Sequence, residues 1–111
     1  MSETMSTTIK TRVIGIDIGV EKVTIAIVDI RGTIIAKEFL NTKDYPLLNN
    51  FIEALSERIV TIAEENGGYE KVRSIGISAP SANFLTGSIE NAMNIPWRGV
   101  IPLAAMLRDR V

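Results

Sequence analysis

Apolar positions change their period twice along this chain. Val13, Ile14, Ile16 and Ile18 form a β-branched run broken by Gly15 and Asp17, a second such run spans residues 23–30, and a third spans residues 33–40. β-branched side chains are stiff at χ1 and pack well on a pleated surface, so these runs predict three strands. The gap at residues 19–22 and the Arg31-Gly32 pair are short enough for hairpins, which predicts an antiparallel three-stranded meander. The period then turns helical: Leu48, Phe51, Ile52, Leu55, Ile59 and Ile62 recur at spacings of three and four, one apolar face of a helix. Asp44 is the expected N-cap with Pro46 in the first turn, and Asn66-Gly67-Gly68 is the expected stop. Val72–Ser78 reads as a fourth strand beside the first, reached through a right-handed crossover. Residues 79–97 read as irregular, with a turn at Thr86-Gly87, and Pro102 is expected to open a short helix carrying Leu103, Met106 and Leu107 on one face. Residues 1–9 read as a flexible leader and residues 10–111 as one domain.

Composition narrows the chemistry. The 111 residues include no cysteine and no histidine, which excludes disulfides, a thiolate nucleophile, the commonest zinc ligands and the commonest general base. A hydrophobic fraction of 46% belongs to a folded domain, and a formal net charge of -1 gives no basic surplus for nucleic acid or an anionic membrane. The first residues are polar and lack the apolar stretch of a signal peptide, and no apolar run is long enough to span a bilayer. The cytoplasm is the expected location.

Two segments carry candidate chemistry. In the first, Asp17 stands near a strand end before Gly19, with Lys22 just beyond the turn. Glycine permits close backbone approach to a phosphate, exposed N–H groups make an anion-binding concavity, and a carboxylate can hold Mg²⁺ directly or through water. An Asp-x-Gly hairpin is more often only a turn. In the second, Ser81, Asn83, Glu90 and Asn94 are polar residues in a long connection, of the kinds that pair donors and acceptors with sugar hydroxyls. Asn94 is equally a turn cap, Glu90 equally a solvated strand residue, and Trp97 a hydrophobic plug rather than a stacking platform.

The run Gly15-Ile16-Asp17-Ile18-Gly19, then Lys22, Val28-Asp29 and Gly32, resembles the first phosphate motif of ROK-family, glucokinase-like sugar kinases. The run Gly76-Ile77-Ser78-Ala79-Pro80, then Gly87-Ser88-Ile89-Glu90-Asn91-Ala92-Met93-Asn94-Ile95-Pro96-Trp97, resembles the sugar-side segment of the same family. The resemblance implies an α/β fold, the actin-like (ribonuclease-H-like) ATPase domain, whose mixed sheet carries the meander and crossover helix. It also implies an ATP-dependent hexose kinase, with ATP and Mg²⁺ as cofactors and a hexose as substrate. Asp17, Gly19 and Lys22 would face the nucleotide, with Asp17 at the metal, and Ser81, Asn83, Glu90 and Asn94 would face the sugar. The sequence departs from the family where a second glycine and a threonine are usual: Val20 and Glu21 stand there, adding bulk and negative charge beside a phosphate site. The resemblance covers the opening part of a family member. The general-base aspartate and second domain that it implies are not in this sequence, so no catalytic residue is assigned and weak nucleotide binding is expected. A sugar-responsive transcriptional regulator and a degenerate binding module are the alternatives. The regulator is disfavoured by a leader too short for a helix-turn-helix. A homo-oligomer is expected through an open sheet edge or an uncovered face at Leu103, Met106 and Leu107.

Overall fold

The β-branched runs form strands β1 (Arg12–Ile18), β2 (Lys22–Val28) and β3 (Ile34–Asn41), which pair antiparallel in sequence. The structure, a computed structural model, describes residues 9–79, 82–83, 88–90, 97, 100–101, 103–108 and 110. Of Ala82, Asn83, Glu90, Val100, Ile101, Ala104 and Arg108 only the backbone is described. Strand β4 (Val72–Ser78) lies parallel to β1, which gives the order β3-β2-β1-β4. The meander and the fourth strand are therefore where the sequence puts them.

Strand alternation gives this sheet two unlike faces. Ile14, Ile16 and Ile18 of β1 and Val23, Ile25 and Ile27 of β2 are buried on one face. Helix α1 (Leu48–Glu65) covers that face and buries Phe51, Ile52, Leu55, Ile59 and Ile62. Burying each such side chain contributes about 1.5–3 kcal/mol, so the α1–sheet contact is the main source of stability. Gly15, Asp17, Gly76 and Ser78 line the opposite face and are exposed.

Two turns explain the chain's reversals. At the β2–β3 hairpin, Asp29 Oδ1 accepts the amides of Arg31 and Thr33 at 2.9 and 3.0 Å, and Gly32 takes φ of 85°. After α1, Gly67 and Gly68 take φ of 115° and 102°, and the Gly68 amide donates to the Ala63 carbonyl at 2.8 Å. These left-handed conformations favour glycine and end the helix at the predicted place.

The helix start differs from the expectation. Its N-cap is Leu47, which makes no side-chain cap, while Asp44 ends a 3₁₀ turn at Thr42–Asp44. That turn has its own cap, Asn41, whose side chain accepts the Lys43 amide at 3.2 Å. Proline disfavours helical conformation in the preceding residue, so Pro46 keeps Tyr45 out of the helix and delays its first turn.

The stretch from residue 79 to residue 101 holds more strand than expected. Strands β5 (Ala82–Asn83), β6 (Ser88–Glu90) and β7 (Val100–Ile101) form a second, antiparallel sheet in that order. They are too short for alternation to be read in sequence, and the burial of Ile89 anchors β6 to the core. The predicted turn at Thr86-Gly87 lies outside the described residues. Helix α2 (Leu103–Arg108) also corrects an expectation: Leu103 and Leu107 are buried and Met106 is packed against the core. Both leucines enter the same core cluster as α1 and Ile89, so this helix covers its apolar face within the chain.

Candidate functional site

The candidate site lies on the exposed face of the first sheet, at the carboxyl ends of the parallel strands β1 and β4. Asp17 is paired with Thr24 of β2 on one side and Ser78 of β4 on the other. Residues paired across strands share a face, so a carboxylate and two hydroxyls form one row there. The small residues Gly15, Ala26 and Gly76 occupy the next row, again in register. A Cβ added to Gly15 or Gly76 would meet nothing within 4 Å, so these positions floor an open, shallow groove.

The 19–22 turn follows Asp17 at the end of β1, and its Glu21 and Lys22 line a separate depression with Phe39, Asn41 and Lys43. The Gly19 amide donates to the Lys22 carbonyl at 2.9 Å. A Cβ at Gly19 would stand 2.9 Å from that same oxygen, so glycine is required by close approach and not by a left-handed φ. Thr42 buttresses the turn from the end of β3. Its hydroxyl donates to the Gly19 carbonyl at 3.0 Å and its amide to the Glu21 carbonyl at 3.1 Å, and the residue is fully buried. Val20 and Glu21, the two departures from the family pattern, are exposed at the tip.

Asp17 therefore lines the groove, Gly19 turns the chain two residues later, and Lys22 is turned elsewhere. Its ammonium lies 4.6 Å from the centroid of the Phe39 ring, over β3, and no ion pair joins it to Asp17. Lys37 also lines the groove, in the row of Gly15 and Ala26, and escaped the sequence reading. Thr42 escaped it as well. The usable signal was register: Lys22 pairs with Asn41, so residue 42 must lie beside the turn. Asp29, part of the resemblance, is committed to its own hairpin.

A metal at this site would find a single carboxylate. Among the described residues no three acidic side chains cluster. Asp17 alone suits Mg²⁺ held partly by water and phosphate oxygens, which is the usual manner of Mg²⁺, and would not make a complete protein cage.

Of the sugar-side residues, Ser81 and Asn94 lie outside the described residues. The backbones of Asn83 and Glu90 lie in the second sheet, where Asn83 pairs with Ser88 and Glu90 with Val100. Trp97 is a plug. It is buried, stacked on Phe51 with ring centroids 4.2 Å apart, and its Nε1 donates to the Tyr45 carbonyl at 2.8 Å. Trp97 thereby joins the end of the long connection to the start of α1.

A meander extended by a parallel strand, covered by its crossover helix and carrying an Asp-x-Gly turn at β1, defines the actin-like α/β domain. Solved structures match it closely. A ROK-family glucokinase from Streptomyces griseus, in complex with glucose and AMPPNP, is 29% identical with a TM-score of 0.73 over 90% of this chain. A ROK hexokinase from Thermus thermophilus is 26% identical with a TM-score of 0.68 over 89% of this chain. A ROK-family transcriptional regulator, a homologue of the E. coli MLC protein, shares the fold with a TM-score of 0.70 at 14% identity over 90% of this chain. No family sequence profile matches the chain, and no curated protein matches it in sequence. The resemblance to ROK-family, glucokinase-like sugar kinases drawn from the motifs is thus borne out by the fold. The chain spans 30%, 32% and 25% of the glucokinase, hexokinase and regulator respectively.

Proposed function

We propose that this chain is the ATP-phosphate- and sugar-binding domain of an ATP-dependent hexose kinase of the glucokinase type. The carrying observation is the Asp17–Gly19 turn at the carboxyl end of β1, held in place beside β4 and followed by the sugar-side motif. In this reading Asp17 holds Mg²⁺ through water, the 19–22 turn meets phosphate oxygens, and Lys22 leaves Phe39 to reach them. Ser81, Asn83, Glu90 and Asn94 bind a hexose. The binding of glucose and AMPPNP by the S. griseus enzyme supports both ligand classes. No helix among the described residues is long and apolar enough to cross a membrane, in keeping with a cytoplasmic domain. Nucleic acid and membrane are not proposed as partners.

Phosphoryl transfer relies on positioning and charge stabilisation from both sides of a closed cleft. The polypeptide, spanning under a third of the glucokinase, is expected to give no glucose phosphorylation with ATP and Mg²⁺. A coupled assay checks this, and turnover abolished by Asp17→Asn would overturn it. A second reading, a binding module that has lost nucleotide, is favoured by Val20 and Glu21 at the tip of the turn. The outer edge of β4 pairs with no described strand, which supports a homo-oligomer formed through that edge. Light scattering is expected to show a mass above the monomer at high concentration. A strict monomer would remove that proposal.

A further inference from the structure

We infer that Thr42 is a positioning residue for the phosphate turn, an inference that rests on the nucleotide reading above. Thr42 reaches two of the turn's carbonyls at once. Its hydroxyl takes that of Gly19 at 3.0 Å and its amide takes that of Glu21 at 3.1 Å. The turn's own bond, Gly19 amide to Lys22 carbonyl, uses a third carbonyl and one amide. Among the described residues, no acceptor takes the amides of Val20 and Glu21. The carbonyls of Gly19 and Glu21 are thus tied to Thr42 and that of Lys22 to the Gly19 amide, which leaves the amides of Val20 and Glu21, with the Val20 carbonyl, unspent among the described residues. Consecutive free amides are what an anion-binding concavity requires.

The side chain is suited to this task by its burial. A threonine hydroxyl at 0% exposure is costly unless it is bonded, and the Gly19 carbonyl is the partner it has. The β2–β3 register delivers it, because the pairing of Lys22 with Asn41 places the next residue opposite Glu21. Thr42 touches neither nucleotide nor metal in this arrangement. It acts through the conformation of residues 19–22.

Thr42→Val keeps the shape and the backbone bond and removes the hydroxyl; Thr42→Ser keeps the hydroxyl. Ile62→Val, a core change remote from the turn, controls for general loss of stability. The first readout is amide hydrogen exchange at Gly19 relative to a core amide such as that of Ile25. Thr42→Val is expected to speed the relative exchange of Gly19 about fivefold, the worth of one hydrogen bond, while Thr42→Ser and Ile62→Val leave it within about twofold. The second readout is MgATP affinity from amide shifts of residues 19–22, expected to weaken about fivefold in Thr42→Val and to recover in Thr42→Ser. Unchanged relative exchange at Gly19 in Thr42→Val overturns the inference. So does a faster-exchanging turn that binds MgATP as well as the unaltered protein. If the unaltered protein shows no shifts up to about 10 mM MgATP, the nucleotide reading falls, and the hold of Thr42 on the turn is still decided by exchange.

Discussion

Phe51→Ala is expected to destabilise the domain by about 4 kcal/mol, the largest effect of any single substitution considered for this chain. Phe51 is fully buried on the sheet-facing side of α1 and stacks on Trp97 at 4.2 Å. It also meets Tyr45 edge-on, with centroids 6.1 Å apart and an interplanar angle of 60°. Truncation loses the transfer free energy of the ring, leaves a cavity, and unseats two aromatic neighbours from different segments. Small domains are stable by about 5–15 kcal/mol, so a loss of this size brings this one close to unfolding at ambient temperature. Denaturant unfolding followed by the fluorescence of Trp97, the chain's one tryptophan, measures it directly. Exposure of Trp97 in the folded baseline would show that Phe51 seats it, and Phe51→Leu should recover more than half of the loss. A cost under about 1.5 kcal/mol for Phe51→Ala would mean that the long connection is not docked on α1 in solution.

That contact also shows which parts of the fold were legible beforehand. The meander could be read because β-branched runs of strand length stand between obvious turns, as at Asp29 to Gly32. The period of α1 and its glycine stop were equally plain. The helix start was not. Asp44 looks like a cap in isolation, but β3 runs on to Asn41, and the reversal after it consumes Thr42 to Asp44 in a 3₁₀ turn. Tertiary context likewise decided Leu103 and Leu107, which read as an uncovered face and are buried in the chain's own core. At the candidate site, the turn that follows Asp17 at Gly19 was legible from a local motif. The contact of Thr42 with that turn was not, because it comes from a register that joins residues 23 apart. The direction taken by Lys22 was also hidden, since nothing local says that Phe39 will be the neighbour of its ammonium.

The Val20→Gly, Glu21→Thr double substitution is expected to raise MgATP affinity at least tenfold, from a Kd no tighter than about 1 mM. Both residues are exposed at the tip of a turn of which two carbonyls, those of Gly19 and Glu21, are held by Thr42. Whatever anion meets the free amides must therefore pass these two side chains. Val20 adds a branched side chain where close approach is needed, and Glu21 adds a formal negative charge beside phosphates that already carry several. At about 4 Å and an effective dielectric near 20, two like charges repel by roughly 4 kcal/mol, but Glu21 is exposed and screened, so the gain expected is far below that figure and is set at tenfold or more for the pair. The two parts separate by salt. The gain from Glu21→Thr alone should shrink as ionic strength rises from about 20 to 200 mM, because exposed charges are screened over about 10 Å at 0.1 M. The gain from Val20→Gly alone should not, because it relieves crowding and not charge. Calorimetry or amide-shift titration at both ionic strengths checks each arm. If the double variant binds MgATP no better than the unaltered protein at low salt, Val20 and Glu21 do not hold nucleotide off the turn. The cause of weak binding would then lie in Lys22, whose ammonium is committed to Phe39, and Phe39→Leu would be the substitution that frees it.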